Sequence, residues 1–224
     1  MNMIEAVVID VDDTLCLTEA ACFDLENTTL ARMNRGPMVR SVHIATWGRP
    51  LFEAILQRSP GIDVDAFKAA YHPVIEEFIA DGRLDAIPVE NYEALDKLVA
   101  LDKTIMLLTS RTHGEFKHML APDHDLASRV TAFYYRDNMQ YHKPDPRAFD
   151  ELLHAHSLQP ENCVYVGDSP SDAQAASGAG LHFIASLESG IRQQQDFEGL
   201  AVDAFVDRFP DIVGAIASLE RGAV

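Results

Sequence analysis

Six short runs of apolar residues, separated by stretches with helical periodicity, constrain the fold of this chain more than any other feature of its sequence. Most of the runs are continuous rather than alternating, which indicates strands that are covered on both faces. The runs are Ala6–Ile9, Ile105–Leu108, Ala132–Tyr135, Val164–Val166, Phe183–Ala185 and Ala204–Val206. Alternation of such strands with helices predicts an α/β fold, a Rossmann-like parallel sheet with helices on both faces.

The segments between these runs have the apolar spacing of helices. Leu95, Leu98 and Leu101 recur on one side of the segment 91–101, and Pro146 stands near the start of a second helical segment, 146–156. Further helical patterns cover residues 172–179 and 211–219.

One long stretch departs from this alternation. From residue 17 to residue 84 the sequence shows helical patterns and no convincing strand. The helical patterns are Glu19–Met33, Leu51–Gln57 and Asp65–Ile79, and turn-forming stretches rich in Gly and Pro separate them. The chain is therefore predicted to form an α/β core domain from residues 1–16 and 85–224, with a helical domain, 17–84, inserted after the first strand.

Composition limits the classes of partner. The formal net charge of −17 repels nucleic-acid backbones and anionic membranes, so we expect neither a nucleic-acid polymer nor a membrane as partner. No apolar run approaches the roughly 18–20 residues that span a bilayer, and the start of the chain lacks a signal-peptide pattern. Three cysteines without metal-ligand spacing fit a reducing compartment, so we expect a cytoplasmic protein. The sequence leaves the oligomeric state open.

Polar side chains follow three of the predicted strands. Asp10 ends the first strand, Thr109 and Ser110 end "TIMLLTSR", and Asp168 ends "VYVGDS". Ligands bind at the carboxyl ends of the strands in an open parallel sheet, so these residues are candidates for one site. Asp and Ser are also common where loops begin, but three such coincidences favour a site.

Like charge in that site requires compensation. Two carboxylates 4 Å apart repel by about 4 kcal/mol at an effective dielectric constant of 20. If Asp10, Asp12 and Asp168 converge, the site needs a cation or raised pKa values. Ligands that are all oxygen favour a hard ion such as Mg²⁺, which commonly binds together with a substrate phosphate. Lys143 and the hydroxyls of Thr109 and Ser110 could receive that phosphate, although Lys143 by itself could equally be a solvated surface lysine.

Four motifs resemble, in order, those of the haloacid dehalogenase (HAD) superfamily. They are "DVDDT" (10–14), "LLTSR" (107–111), "HKPDP" (142–146) and "VGDSPSDAQAASGAG" (166–180). The helical stretch 17–84 resembles the cap domain of phosphoglycolate-phosphatase-like and β-phosphoglucomutase-like members. The resemblance implies a Mg²⁺-dependent phosphatase that acts on a small phosphorylated metabolite.

The resemblance also implies roles for matching residues. Asp10 would be the nucleophile that forms an aspartyl-phosphate, and Asp12 would act as acid and then as base. Mg²⁺ would be held by Asp10, by the backbone carbonyl of Asp12 and by Asp168. Asp172 would contact these ligands or their bound water rather than the ion itself. Thr109, Ser110 and Lys143 would bind the phosphate.

Asp13 departs from the family pattern, which usually has Gly at this position. As a further carboxylate near the phosphate, it would make the site more dependent on Mg²⁺; alternatively it caps a turn or a helix. Asp12 distinguishes reaction classes, because family members that cleave carbon–halogen or carbon–phosphorus bonds generally lack an Asp there.

The stretch "TWGRPLFEAIL" (46–56) resembles the cap loop that contacts the leaving group in related enzymes. Gly48 and Arg49 are therefore the candidates for substrate specificity, and Arg49 could pair with a carboxylate, a second phosphate or a sugar hydroxyl. A solvated Arg49 on the domain surface is the alternative.

Two other functions remain open at this point. The motifs do not separate a phosphatase from a phosphomutase of the β-phosphoglucomutase type, in which the phosphoenzyme survives until a sugar phosphate accepts the group. A binding protein that retains the fold without catalysis is the third hypothesis, because a fold alone does not determine function.

Overall fold

The computed structural model describes residues 3–47, 49 and 51–222. It divides into two compact units, one formed by Met1–Cys16 with Ile87–Val224 and the other by Leu17–Ala86. The strands are β1 (Ala6–Ile9), β2 (Thr104–Leu108), β3 (Ala132–Tyr134), β4 (Cys163–Gly167), β5 (His182–Ser186) and β6 (Ala204–Val206). The helices are α1 (Thr18–Arg32), α2 (Arg40–Ala45), α3 (Leu51–Arg58), α4 (Val64–Ala80), α5 (Val89–Ala100), α6 (His113–Phe116), α7 (Asp150–Ala155), α8 (Pro170–Ala179) and α9 (Ile212–Glu220).

The first unit contains a six-stranded sheet in the order β3-β2-β1-β4-β5-β6, and every neighbouring pair is parallel. This arrangement confirms the predicted α/β class with a Rossmann-like parallel sheet. β1 pairs with both β2 and β4, so Ile9 lies beside Leu107 on one side and Val166 on the other. The strand order reverses at β1, which makes the carboxyl end of this strand the expected place for a ligand.

Both faces of the sheet are covered, as the continuous apolar runs predict. On β1, Val7 and Ile9 belong to one core cluster and Ala6 and Val8 to the other. Residues of α5 and α9 pack in the first cluster, and residues of α7 and α8 pack in the second. All four side chains of β1 are fully buried.

Two local features differ from the sequence prediction. The segment predicted as one helix over 146–156 begins with a 3₁₀ turn, Pro146–Phe149, before α7. Proline supplies no N–H, and the Asp145 side chain accepts a hydrogen bond from the N–H of Arg147 (3.0 Å), so this first turn is organised by its cap. The short helices α2 and α6 were not predicted, because one or two turns carry too little periodicity to be recognised.

The second unit is helical and contains α1 to α4. Leu30, Ile55 and Phe67, which lie on α1, α3 and α4, share one buried cluster, and Leu25 and Phe78 belong to another. Within the described ranges, no helix combines the length and the apolar character that crossing a bilayer requires.

Charged side chains are buried inside this helical unit. Arg58 Nη1 lies 2.5 Å from Glu26 Oε1, with 2% and 3% of the two side chains exposed. Arg58 also donates from Nε to Thr46 Oγ1 (2.8 Å) and from Nη2 to the Thr46 carbonyl (3.1 Å). The His43 ring lies between Glu19 Oε1 (2.5 Å from Nδ1) and Glu26 Oε1 (3.2 Å from Nε2). This buried polar network joins α1, α2 and α3.

Candidate active site

Three carboxylates converge at the carboxyl edge of the sheet. Asp10 directly follows β1, Asp168 directly follows β4, and Asp172 lies in the first turn of α8. Each of the three offers an oxygen atom, and these atoms lie within 4.8 Å of one another. Asp10 and Asp172 are buried and Asp168 is half-buried. The structure therefore brings Asp10 together with two side chains that follow it by more than 150 residues in the sequence.

Lys143 is the ammonium group within this acidic cluster. Its Nζ lies 3.1 Å from Asp10 Oδ2 and 2.7 Å from Asp172 Oδ1, and it donates to the hydroxyl of Tyr165 (2.8 Å). Only 6% of the Lys143 side chain is exposed, so the solvated surface lysine considered above is wrong for this residue. Burial alone would lower the pKa of Lys143, but the carboxylates of Asp10 and Asp172 outweigh burial and raise it above its usual range.

One lysine does not compensate the acidic cluster. Burial raises the pKa of Asp10 to about 7; Lys143 opposes this shift, whereas the negative charges of Asp172 and Asp12 add to it. Burial, followed by the charges of Asp172 and Asp10, raises the pKa of Asp168 well above its ordinary value. These raised pKa values mean that full ionisation of the acidic cluster is unfavourable in the folded protein unless further positive charge, such as a bound cation, is present.

The donor set fits a divalent metal ion. The three residues provide carboxylate oxygens, which are the ligands of hard cations, and their oxygens are close enough to surround one ion. An additional positive charge would also offset the burial and the repulsion between carboxylates that together raise the pKa values of Asp10 and Asp168.

Asp172 is held more tightly than the other two carboxylates. Its Oδ2 accepts from the Ser169 hydroxyl (2.6 Å) and backbone N–H (3.0 Å), completing a capping box at the start of α8. Its Oδ1 accepts from the Tyr165 hydroxyl (3.2 Å) in addition to Lys143. A Cβ atom at Gly167 would lie 2.7 Å from the Cβ, Cγ and Oδ2 atoms of Asp172, so only glycine leaves room for this side chain.

Asp12 lies two residues beyond the nucleophile candidate and is paired with Arg111. Arg111 Nη2 is 2.7 Å from Asp12 Oδ1, and Nε is 3.1 Å from each carboxylate oxygen. The Asp10 carboxylate has a different partner: its Oδ1 accepts a hydrogen bond from the backbone N–H of Val11 (2.8 Å).

The two residues predicted to bind phosphate beside Lys143 follow β2. Thr109 is fully buried, and its backbone N–H donates to the Tyr134 carbonyl (2.9 Å), which continues the pairing of β2 with β3. Thr109 Oγ1 accepts from the Arg111 N–H (3.2 Å), whereas Ser110 is exposed.

Asp13 lies in a turn between β1 and α1 with a backbone φ of 58°, in the left-handed region. Leu17 precedes the first residue of α1, so Asp13 does not cap that helix. Asp13 is buried, and its charge contributes to the raised pKa of Asp168. Asp13 therefore lies at a turn position, and its negative charge adds to that of the acidic cluster.

The two specificity candidates belong to the helical unit. Gly48 lies outside the described residues. Arg49 is exposed, and its backbone N–H donates to the Thr46 carbonyl (3.3 Å).

Sequence reasoning missed two residues of this site, Tyr165 and Arg111. Tyr165 is a phenol within an otherwise aliphatic strand, and a buried hydroxyl normally has a polar partner, so the strand pattern contained a signal. Arg111 follows the Thr109–Ser110 pair directly, but an arginine in a loop is usually solvated, and nothing in the sequence indicates that its partner is Asp12.

Comparison with known proteins assigns the chain to a family. The family profile for haloacid dehalogenase-like hydrolases matches residues 7–186. A phosphoglycolate phosphatase of Xylella fastidiosa is 25% identical over 190 residues, covering 85% of this chain and 82% of the relative. A phosphoglycolate phosphatase of Aliivibrio fischeri is 30% identical over 129 residues, and the match covers 58% of this chain and 56% of that relative.

The fold agrees with a solved structure over nearly the whole chain. A proposed β-phosphoglucomutase from Thermotoga maritima superimposes with a TM-score of 0.76 and 20% identity, covering 98% of this chain and all of the other. The chain therefore belongs to the haloacid dehalogenase-like hydrolase family and is one of its phosphatases, in the phosphoglycolate-phosphatase-like subgroup.

Proposed function

We propose that this protein is a Mg²⁺-dependent phosphatase that hydrolyses a small phosphorylated metabolite through an aspartyl-phosphate on Asp10. The observation that supports this most strongly is the contact of Asp10 with Lys143 inside a cluster that also contains Asp168 and Asp172. A nucleophilic carboxylate next to an ammonium group and a hard-cation site is the arrangement that phosphoryl transfer requires.

Each of the two chemical steps has a role for Asp10 and Asp12. In the first step an Asp10 oxygen bonds to phosphorus, the bond from phosphorus to the leaving oxygen breaks, and Asp12 protonates that oxygen. In the second step a water oxygen bonds to phosphorus, the bond to Asp10 breaks, and Asp12 takes the proton from water. Lys143 holds the Asp10 carboxylate and offers positive charge to the phosphoryl oxygens.

The metal would be held by Asp10, the backbone carbonyl of Asp12 and Asp168. Mg²⁺ in this position would supply positive charge to the transferring phosphoryl oxygens. Asp172 has its oxygens engaged by Ser169, Tyr165 and Lys143, so we assign it to orienting the lysine and supporting the site rather than to primary ligation.

Thr109 and Ser110 would complete phosphate binding with Lys143. Thr109 is placed by the pairing of β2 with β3, and Ser110 is the residue at this strand end whose side chain is accessible. Hydroxyl and backbone N–H groups are suitable donors to a tetrahedral anion.

The helical domain 17–84 would act as the cap that selects the leaving group, with Gly48 and Arg49 in contact with it. A cap favours a small diffusible ester over a phosphoprotein. Two relatives are named phosphoglycolate phosphatases, so phosphoglycolate is the first ester to test. The net charge of −17 argues against nucleic-acid polymers and anionic membranes as partners, and three cysteines without metal-ligand spacing suit a reducing cytoplasm.

The test is phosphate release from a panel that contains phosphoglycolate, sugar phosphates, nucleoside monophosphates and pyrophosphate, with Mg²⁺ and with EDTA. We expect release with Mg²⁺ only, and its loss in Asp10→Asn. Asp96→Asn is the matched control, because Asp96 pairs with Arg129 at the surface and lies outside the acidic cluster. Full activity of Asp10→Asn would eliminate the nucleophile, whereas a phosphoenzyme that persists until a sugar phosphate is added would indicate a phosphomutase.

A further inference from the structure

Arg111 binds the carboxylate of Asp12 through two nitrogen atoms. Its Nη2 lies 2.7 Å from Asp12 Oδ1, and its Nε lies 3.1 Å from both Oδ1 and Oδ2. The arginine side chain is 11% exposed and the aspartate side chain 35% exposed. A planar guanidinium bound in this way fixes the rotation of a carboxylate, which a lysine ammonium group would not do.

Arg111 is itself anchored by its backbone. Its N–H donates to Thr109 Oγ1 (3.2 Å), and its carbonyl accepts from the N–H of Arg136 (2.9 Å). Arg111 lies in the segment after β2 and Asp12 in the segment after β1, and these two strands are neighbours in the sheet. The ion pair therefore ties together two segments that leave the same edge of the sheet.

We propose that Arg111 is a positioning residue for the acid–base step, which holds the Asp12 carboxylate in the orientation for proton exchange with the leaving oxygen and with water. This inference rests on the proposed function, in which Asp12 delivers a proton as the bond from phosphorus to the leaving oxygen breaks. A carboxylate that rotates away from the leaving oxygen delivers that proton less often, and correct placement of reacting groups accounts for large factors in rate.

The proposal predicts a dependence on the leaving group. A p-nitrophenolate leaves without being protonated, whereas the alkoxide of an alkyl phosphate needs the proton. For Arg111→Met we expect kcat/KM to fall about 10- to 100-fold on alkyl esters such as glycerol phosphate, and less than about threefold on p-nitrophenyl phosphate. Arg111→Lys keeps the positive charge but lacks the planar guanidinium that binds the carboxylate at two points. We therefore expect a smaller loss of kcat/KM than in Arg111→Met, again larger for alkyl esters than for p-nitrophenyl phosphate.

Two further variants separate positioning from a general structural effect. Arg129→Met is the matched control, because Arg129 binds the Asp96 carboxylate in a similar way, with Nε (2.6 Å) and Nη2 (2.9 Å). Neither Arg129 nor Asp96 belongs to the acidic cluster. Arg129→Met should leave both kcat/KM values unchanged. The double variant Arg111→Met with Asp12→Asn should be no slower than Asp12→Asn alone, because Arg111 acts through Asp12.

A structural measurement provides a readout that is independent of turnover. A crystal structure of Arg111→Met should show the Asp12 side chain in a different rotamer or in more than one rotamer. An unchanged single rotamer, equal losses on both classes of ester, or additive losses in the double variant would each overturn the proposal. If the wild type is active, Asp10→Asn is inactive and Arg111→Met behaves like Arg129→Met, this inference fails and the proposed function stands. If the wild type hydrolyses no ester in the panel, both fail.

Discussion

The buried ion pair between Arg58 and Glu26 allows us to predict how much stability the protein loses when the arginine is replaced. In Arg58→Met, the Glu26 carboxylate loses the guanidinium 2.5 Å away while remaining almost completely buried. Removal of one partner of a buried pair typically costs about 3–5 kcal/mol, because the remaining charge is uncompensated. Thr46 also loses two hydrogen bonds from the same side chain, so we expect a loss toward the upper end of this range.

Trp47 allows this loss to be measured in the helical unit itself. It is the only tryptophan in the chain, and its ring lies 5.4 Å from the ring of His43 in the same network. We expect the urea midpoint, followed by tryptophan fluorescence, to fall by at least about 1.5 M for a slope near 2 kcal/mol/M. Arg32→Met is the control, because Arg32 and Glu77 form an exposed pair on the same unit and its loss should leave the midpoint unchanged.

A second variant tests the physical cause of the loss. In Arg58→Met with Glu26→Gln, the uncompensated charge is gone, so part of the stability should return relative to Arg58→Met alone. The reasoning would be refuted if Arg58→Met shifted the midpoint no more than Arg32→Met does. It would also be refuted if the double variant were less stable than Arg58→Met, since uncompensated charge would then not be the cause.

Two other predictions concern the α/β unit. Gly167→Ala places a Cβ 2.7 Å from atoms of Asp172, so we expect at least a tenfold loss of phosphatase activity and weaker Mg²⁺ binding by calorimetry; Gly214→Ala, which meets no atom within 4 Å, is the control and should cost nothing. The pKa of Asp10 is raised to about 7 from 3.8, so the folded state binds this proton more tightly than the unfolded state. In EDTA, stability from this group is therefore present below pH 4 and is lost as the pH rises from 4 to 7. Thermal melts should show a steeper loss of stability with pH in the wild type than in Asp10→Asn, which keeps the contribution of Asp168. A wild type whose slope matched that of Asp10→Asn would contradict the assignment.

The sheet could be predicted because its strands are buried on both faces. Each of the six apolar runs overlaps a strand of the structure, and the predicted and observed strand ends differ by at most one residue. Strand ends of this kind depend on individual hydrogen bonds rather than on hydrophobic pattern, which explains the small differences. The position of Asp10 at the carboxyl edge followed directly from the first of these strands.

The contacts between side chains could not be predicted in the same way. Lys143 and Tyr165 are 22 residues apart and Arg111 and Asp12 are 99 apart, so their pairing depends on the three-dimensional course of the chain. Arg58 illustrates the same limit, because charged residues are rarely buried and a sequence pattern assigns them to the surface.

The central position of β1 has a consequence for the order in which the chain assembles. Ile9 of β1 pairs with Val166 of β4. The ribosome synthesises β4 roughly 150 residues after β1, which takes about 8–30 s at ordinary rates of synthesis, so β1 lacks this partner strand during that time. Until then an apolar segment has one side without its partner strand, and such a segment is a natural substrate for a chaperone. Nascent chains that stop before β4 should therefore stay bound to holdases, and release should begin once residues 163–167 have left the exit tunnel.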